Sequence, residues 1–167
     1  MKNDILEIIE SDQSNLLILG KAGVGKSTLI KTLKSKLAQK CIVVCPTGIA
    51  AQNVDGQTIH SFFNIPSRLN LKFSEINSSG QKLGNQLSTE LKELNTIIID
   101  EISMVNQFIL ESISEILKVA KNNSAPFGNI RIILIGAFGA VQLSKLQCTF
   151  ESLSQLNRQT PCFCRKY

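Results

Sequence analysis

Eight consecutive residues, Gly20-Lys21-Ala22-Gly23-Val24-Gly25-Lys26-Ser27, combine three glycines, two lysines and a hydroxyl. Such a run has the composition of a phosphate cradle. Glycines let the backbone curl until several N–H groups face one anion, and the start of a following helix adds its positive end. The order and spacing match the Walker A pattern, in which Lys26 reaches the β- and γ-phosphates and the Ser27 hydroxyl ligates Mg²⁺. The residues expected to touch nucleotide are Gly20, Ala22, Gly23, Val24, Gly25, Lys26, Ser27 and Thr28. The ordinary alternative is a chance glycine-rich turn, which residue frequencies place at about one in a hundred or less for such a chain. An apolar run before the motif and a helical pattern after it lower those odds further. ATP and Mg²⁺ are therefore the expected cofactors.

A second element supports the first. Asn95-Thr96-Ile97-Ile98-Ile99-Asp100-Glu101 is an apolar strand ending in two carboxylates, as in a Walker B element. A carboxylate at a buried strand end costs solvation unless a cation balances it. Asp100 is the expected metal-side carboxylate, and Glu101 the base that orients and activates an attacking water. Adjacent acids at a strand end are often only solvated caps. Downstream of a Walker A run, the catalytic assignment is the stronger one.

These residues need elements to hold them. Apolar runs at 16–19, 42–44, 97–99 and 130–135 are short, mostly β-branched and without clean alternation. Strands buried on both faces of a parallel sheet have that character. Helical spacing lies between them: Leu29, Leu33 and Leu37 after the first run, and Ile109, Ile113, Ile116, Leu117 and Ala120 after the third. A short helix on Ile5, Leu6, Ile8 and Ile9 is expected before the first strand. Residues 64–95 are rich in Asn, Ser and Gly and read as a surface excursion with one helix near 83–94. Strands alternating with helices predict an α/β domain with right-handed crossovers. The expected division is one domain over residues 1–150 and a basic tail over 151–167.

With 167 residues, 43% hydrophobic and 19% charged, the composition suits one soluble globular domain. The net charge is +5; residues 1–120 balance, whereas Lys121, Arg131, Lys145, Arg158, Arg165 and Lys166 face only Glu151 in the remainder. A basic end of this kind attracts polyanions, although a solvated tail explains it equally well. The amino terminus lacks a secretory pattern, and the longest apolar run, 132–141, is too short to span a bilayer. Five cysteines fit a reduced, cytoplasmic protein without disulfides. Cys41 and Cys45 read as core residues, and Cys162 with Cys164 lacks a second ligand pair for zinc.

Two further segments narrow the class. Cys45-Pro46-Thr47-Gly48-Ile49-Ala50-Ala51, followed by Gly56-Gln57-Thr58-Ile59-His60-Ser61-Phe62-Phe63, resembles the segment after the first motif in superfamily 1 helicases of the PIF/RecD type. Asp100-Glu101-Ile102-Ser103-Met104-Val105 resembles the same family's second motif, and Pro126-Phe127-Gly128-Asn129-Ile130-Arg131 is similar to bacterial PIF-like proteins. The resemblance covers residues 5–150. It implies a P-loop NTPase of the RecA-like, three-layer kind with a mostly parallel central sheet. It also implies ATP hydrolysis, movement along single-stranded DNA, and work in DNA repair or recombination. Pro46, Thr47, His60 and Ser61 would lie on or near the DNA path. One of Phe62 and Phe63 is a candidate for base stacking, with core packing expected for at least one.

The chain also departs from that pattern. The family's third motif runs Gly-Asp-Phe, one residue, then Gln-Leu-Pro; here Gly136 is followed by Ala137 and Phe138, and Gln142-Leu143-Ser144 arrives two residues late. Gln142 is the candidate γ-phosphate sensor on this alignment. Residues 151–167 hold no second RecA-like domain and no arginine finger, so a partner domain or subunit is expected to complete the motor. The competing expectation is a degenerate module that binds ATP or DNA without productive turnover.

Overall fold

The computed structural model describes residues 6–7, 9, 11, 13–37, 40–65, 85–137 and 164–166. Its centre is a sheet with strands β1 (Leu16–Gly20), β2 (Cys41–Cys45), β3 (Gln57–Thr58), β4 (Thr96–Ile99), β5 (Arg131–Ala137) and β6 (Cys164–Lys166). The strand order is β3-β2-β4-β5-β1-β6, and every pairing is parallel. The expected α/β architecture is present, with all four anticipated strands. Around the sheet lie α1 (Lys26–Leu37), α2 (Gly48–Asn53), α3 (Ile59–Phe63), α4 (Asn85–Glu93) and α5 (Gln107–Lys121).

Alternate residues of each strand feed opposite cores. Leu17, Leu19, Val44, Ile97, Ile99, Ile132 and Leu134 pack with α3, α4 and α5, chiefly Phe62, Leu91, Ile113 and Leu117. Leu16, Val43, Cys45, Ile98, Ile133 and Ile135 pack against Ile30 and Leu33 of α1, Ala51 of α2, and Ile9. Three layers result. Because both faces of each strand are covered, the strand sequences show no polar alternation. On α1 the fully buried pair is Ile30 and Leu33, with Leu29 and Leu37 half-buried beside them.

Polar capping sets the helix boundaries on the far side of the sheet. The Asn106 side chain accepts from Ile109 N at 2.9 Å and starts α5, and Asn122 ends it in the left-handed region at φ 49°. The Lys121 ammonium donates to the carbonyls of Lys92 at 2.6 Å and Leu94 at 2.7 Å, closing the end of α4. A 3₁₀ turn, Pro126–Asn129, then packs onto α5 through Phe127 N donating to Ser114 Oγ at 3.1 Å. Gly128 (φ +60°) is required there, since a Cβ would lie 2.5 Å from the Leu117 carbonyl oxygen.

Two residues counted in the basic end are thereby structural. Besides Lys121, Arg131 is buried at the amino end of β5, its Nε donating to Ser14 O at 2.9 Å. Arg131 therefore contributes nothing to an exposed basic surface, and the half-buried Lys121 directs its hydrogen bonds to the end of α4. Residues 164–166, expected within a tail, form β6 and pair with β1 through Leu17↔Cys164, Ile18↔Arg165 and Leu19↔Lys166.

Candidate nucleotide site at the carboxyl edge of the sheet

In an open parallel sheet, ligands bind in the crevice beyond the carboxyl ends of the strands. At that edge β1 ends in Gly20, β2 leads into Pro46, β4 into Asp100, and β5 ends in Ala137. The register sets Gly20 beside Ala137, and Asp100 N donates to Val44 O at 3.0 Å. The motifs separated by about 75 positions in sequence are thus brought to one edge of the sheet, on strands β1 and β4 that flank β5.

Between β1 and α1 the loop turns through positive φ at Gly23 (+78°) and Gly25 (+91°). Residues 21–24 are exposed, as are Ser27 and Thr28 in the first turn of α1, and that turn carries no acidic residue. An anion at this position would meet no carboxylate from the helix itself. The Lys26 ammonium donates back to the carbonyls of Gly20 at 3.0 Å and Lys21 at 2.9 Å. It therefore sits inside the curl of the loop.

Asp100 is only 6% exposed. Burial pushes its carboxyl above the usual carboxylate range; a backbone hydrogen bond from Glu101 opposes this, the Glu101 charge adds to it, and the Lys26 charge opposes it. The hydrogen bond is Glu101 N to Asp100 Oδ1, at 2.9 Å. A buried carboxylate with one backbone donor and an ammonium nearby has the oxygen chemistry that suits a hard divalent cation. With the Ser27 hydroxyl exposed at the start of α1, the residues present fit Mg²⁺. Glu101 takes a left-handed conformation (φ 50°, ψ 44°) and begins a 3₁₀ turn, Ile102–Met104, without capping it through its side chain. Its half-exposed carboxylate is left at the edge. Cys45, next to both acids, has its thiol pushed up to about 12 by burial, with Asp100 and Glu101 adding to the shift. Burial likewise raises Cys41, to about 11. Both thiols are inert core groups, as expected.

The four candidate DNA residues also reach this edge. Pro46 and Thr47 follow β2, and the Thr47 hydroxyl caps α2 by accepting from Ala50 N at 3.3 Å. His60 and Ser61 lie in α3, half-buried and exposed respectively. The His60 carbonyl accepts from the backbone N–H groups of Asn64 and Ile65 and closes that helix. Phe62 and Phe63 are 5% and 3% exposed, edge-to-face with ring centroids 4.9 Å apart. Both belong to the core, so neither presents a ring for a base. Phe138 and Gln142 lie outside the described residues; Ala137 is half-buried. Thr58, outside the expected site residues, also lies at this edge, and its hydroxyl accepts from Ser61 N at 3.2 Å. A Thr three residues ahead of that amide is the capping signal that identifies it. Ile49 and Met104, likewise outside the expected site residues, are 77% and 60% exposed at the same edge.

The sequence profile of PIF1-like helicases matches residues 2–144. The ATP-dependent DNA helicase PIF1 of Candida albicans is 35% identical over 130 residues, covering 74% of this chain and 14% of that protein. Unliganded Pif1 from Bacteroides sp. superposes with a TM-score of 0.70 at 35% identity, covering 81% of this chain and 30% of that one. Bacteroides Pif1 in complex with ADP-AlF3 and ssDNA gives 0.69 at 33% identity, covering 90% and 35%. This chain thus spans about a seventh of the Candida relative and about a third of each solved chain. With the matched profile extending over most of its length, the chain belongs to the PIF1-like helicase family.

Proposed function

We propose that residues 1–150 are the ATP-binding and ATP-hydrolysing first motor domain of a PIF1-like DNA helicase acting in DNA repair or recombination. The observation that carries this reading is the placement, at one edge of the sheet, of the Lys26 ammonium inside the P-loop and the buried Asp100 carboxylate at the end of β4. Loop N–H groups from Gly20 to Thr28 would hold the phosphates. Lys26 would transfer its hydrogen bonds from the Gly20 and Lys21 carbonyls to β- and γ-phosphate oxygens. Ser27 and Asp100 would hold Mg²⁺, which supplies positive charge to the phosphates when bound. Glu101 would accept the proton of a water whose oxygen attacks the γ-phosphorus, and ADP departs with the β–γ bridging oxygen. Pro46, Thr47, His60 and Ser61 supply one wall of a single-stranded DNA path, and Gln142 would report the γ-phosphate to it.

Turnover by this chain alone is expected to be slow and unwinding absent. An arginine from a neighbouring domain typically contributes about 10³–10⁵ to phosphoryl transfer, roughly 4–7 kcal/mol. A second RecA-like domain is the partner that would supply it and complete the DNA channel. Ala137 favours a second reading. It lies beside Gly20 where the family pattern carries Asp, which suits a module that binds nucleotide or DNA without turnover. Steady-state ATPase with and without single-stranded DNA, for the chain alone and with a second domain added, separates the two. DNA-stimulated hydrolysis that rises with the second domain supports the motor; tight binding with no hydrolysis in any combination supports the module.

A further inference from the structure

We propose that Gly56 is a positioning residue for the DNA-facing edge, an inference that rests on the DNA reading above. A Cβ at position 56 would lie 2.7 Å from the Val43 carbonyl oxygen and 3.3 Å from Val43 C and Cβ. Real Cβ atoms essentially never approach backbone so closely, and Val43 is fully buried in the middle of β2, where it cannot yield. Only a residue without a side chain lets the turn after α2 pass this near.

That close pass decides where the next residues lie. Gly56 N donates to Ala51 O at 2.8 Å, turning the chain back along β2. Gln57 and Thr58 then pair with Val44 and Cys45. Thr58, held in that register, caps α3 through Ser61 N, and Ile59, Phe62 and Phe63 anchor the helix in the core. His60 and Ser61 are thereby set just past the end of β3, which pairs with the strand that leads into Pro46 and Thr47. On the other side of the same strand, Val44 O accepts from Asp100 N. The tip of β2 is shared between the nucleotide-side carboxylate and the DNA-facing helix, and Gly56 sets the spacing on the DNA side alone. A methyl group at 56 must displace the two-residue β3 rather than the five-residue β2, which is held from both sides. The shift carries α3 outward and leaves the P-loop and Asp100 in place.

Gly128 supplies a control. Its Cβ would meet the Leu117 carbonyl oxygen at 2.5 Å, but it lies under α5 at the opposite end of β5. The experiment measures single-stranded oligonucleotide affinity, nucleotide affinity and melting temperature for the full chain and the variants Gly56→Ala and Gly128→Ala. Gly56→Ala should weaken single-strand binding by roughly tenfold, about 1.4 kcal/mol, while nucleotide affinity stays within about twofold. Gly128→Ala should lower the melting temperature at least as much and leave DNA affinity within about twofold. Should Gly56→Ala not fold, Thr58→Val and Thr58→Ser decide: loss of the cap hydroxyl in the first should weaken DNA binding, and its return in the second should restore it. Equal DNA losses in both glycine variants, an unchanged Gly56→Ala, or a Thr58→Ser as weak as Thr58→Val would overturn the positioning role. A parent chain that binds no single strand at low salt overturns the DNA reading and this inference together.

Discussion

Asp100→Asn should stabilise the chain while it weakens Mg-dependent nucleotide binding. The structure gives both signs. Asparagine fills the same volume, and its Oδ1 can keep the 2.9 Å hydrogen bond from Glu101 N. Only the charge is lost, at a site that is 6% exposed. Burial is the largest influence on this carboxyl and outweighs the attraction of Lys26, so removing the charge relieves more than it forfeits. Substitutions that relieve a functional site commonly gain about 0.5–2 kcal/mol. For a chain of this size that raises the melting temperature by about 1–8 °C. The pH dependence follows from the raised pKa. A carboxyl whose folded pKa lies above its unfolded value costs stability in full above the folded pKa and nothing below the unfolded one. The gap between variant and parent should therefore be widest at neutral pH and close on acidification through the folded pKa of Asp100. Thermal melts across that range without Mg²⁺, paired with nucleotide titrations with and without it, provide the assay. A variant that melts below the parent at neutral pH, or a gap that widens on acidification, would refute the reasoning.

Glu101→Gln should keep nucleotide affinity while hydrolysis falls by about 10²–10⁴, the usual contribution of a general base; lost binding with surviving turnover would place Glu101 on the metal side instead. Phe62→Ala or Phe63→Ala should cost about 3–5 kcal/mol in chemical denaturation, and any loss of DNA binding should follow the unfolded fraction rather than act at a base. Single-strand affinity should fall steeply with salt, with a log–log slope of about −0.7 per phosphate contacted. A flat salt dependence would count against an electrostatic contact.

The chemistry was the most legible part of the sequence, because the P-loop and the Asp100–Glu101 pair declare themselves through residue type and local spacing. The four long strands were legible from their apolar runs, and α1 and α5 from their helical period. β3 was not: Gln57 and Thr58 are two polar residues, and nothing local reveals that they pair with Val44 and Cys45. α2 and α3, of six and five residues, are too short to display a period; their caps, Thr47 and Thr58, are the only local signal. Charge counting failed for a different reason. It treats every lysine and arginine as solvated, whereas Lys121 closes α4 and Arg131 is buried against Ser14. For Phe62 and Phe63, aromatic character alone does not tell a stacking platform from a core pair. Their burial at neighbouring positions of one short helix does.

The central claim is that the loop from Gly20 to Thr28 and the strand end at Asp100 form one nucleotide site. Calorimetric titration of the chain and its Lys26→Ala variant with Mg-ATP tests it most directly. Lys26 places an ammonium inside the curl of the loop, bonded to the Gly20 and Lys21 carbonyls and close enough to Asp100 to influence its carboxyl. The account predicts saturable one-to-one binding by the parent and near-complete loss in the variant, with the fold retained. Equal affinity of the two proteins would contradict it.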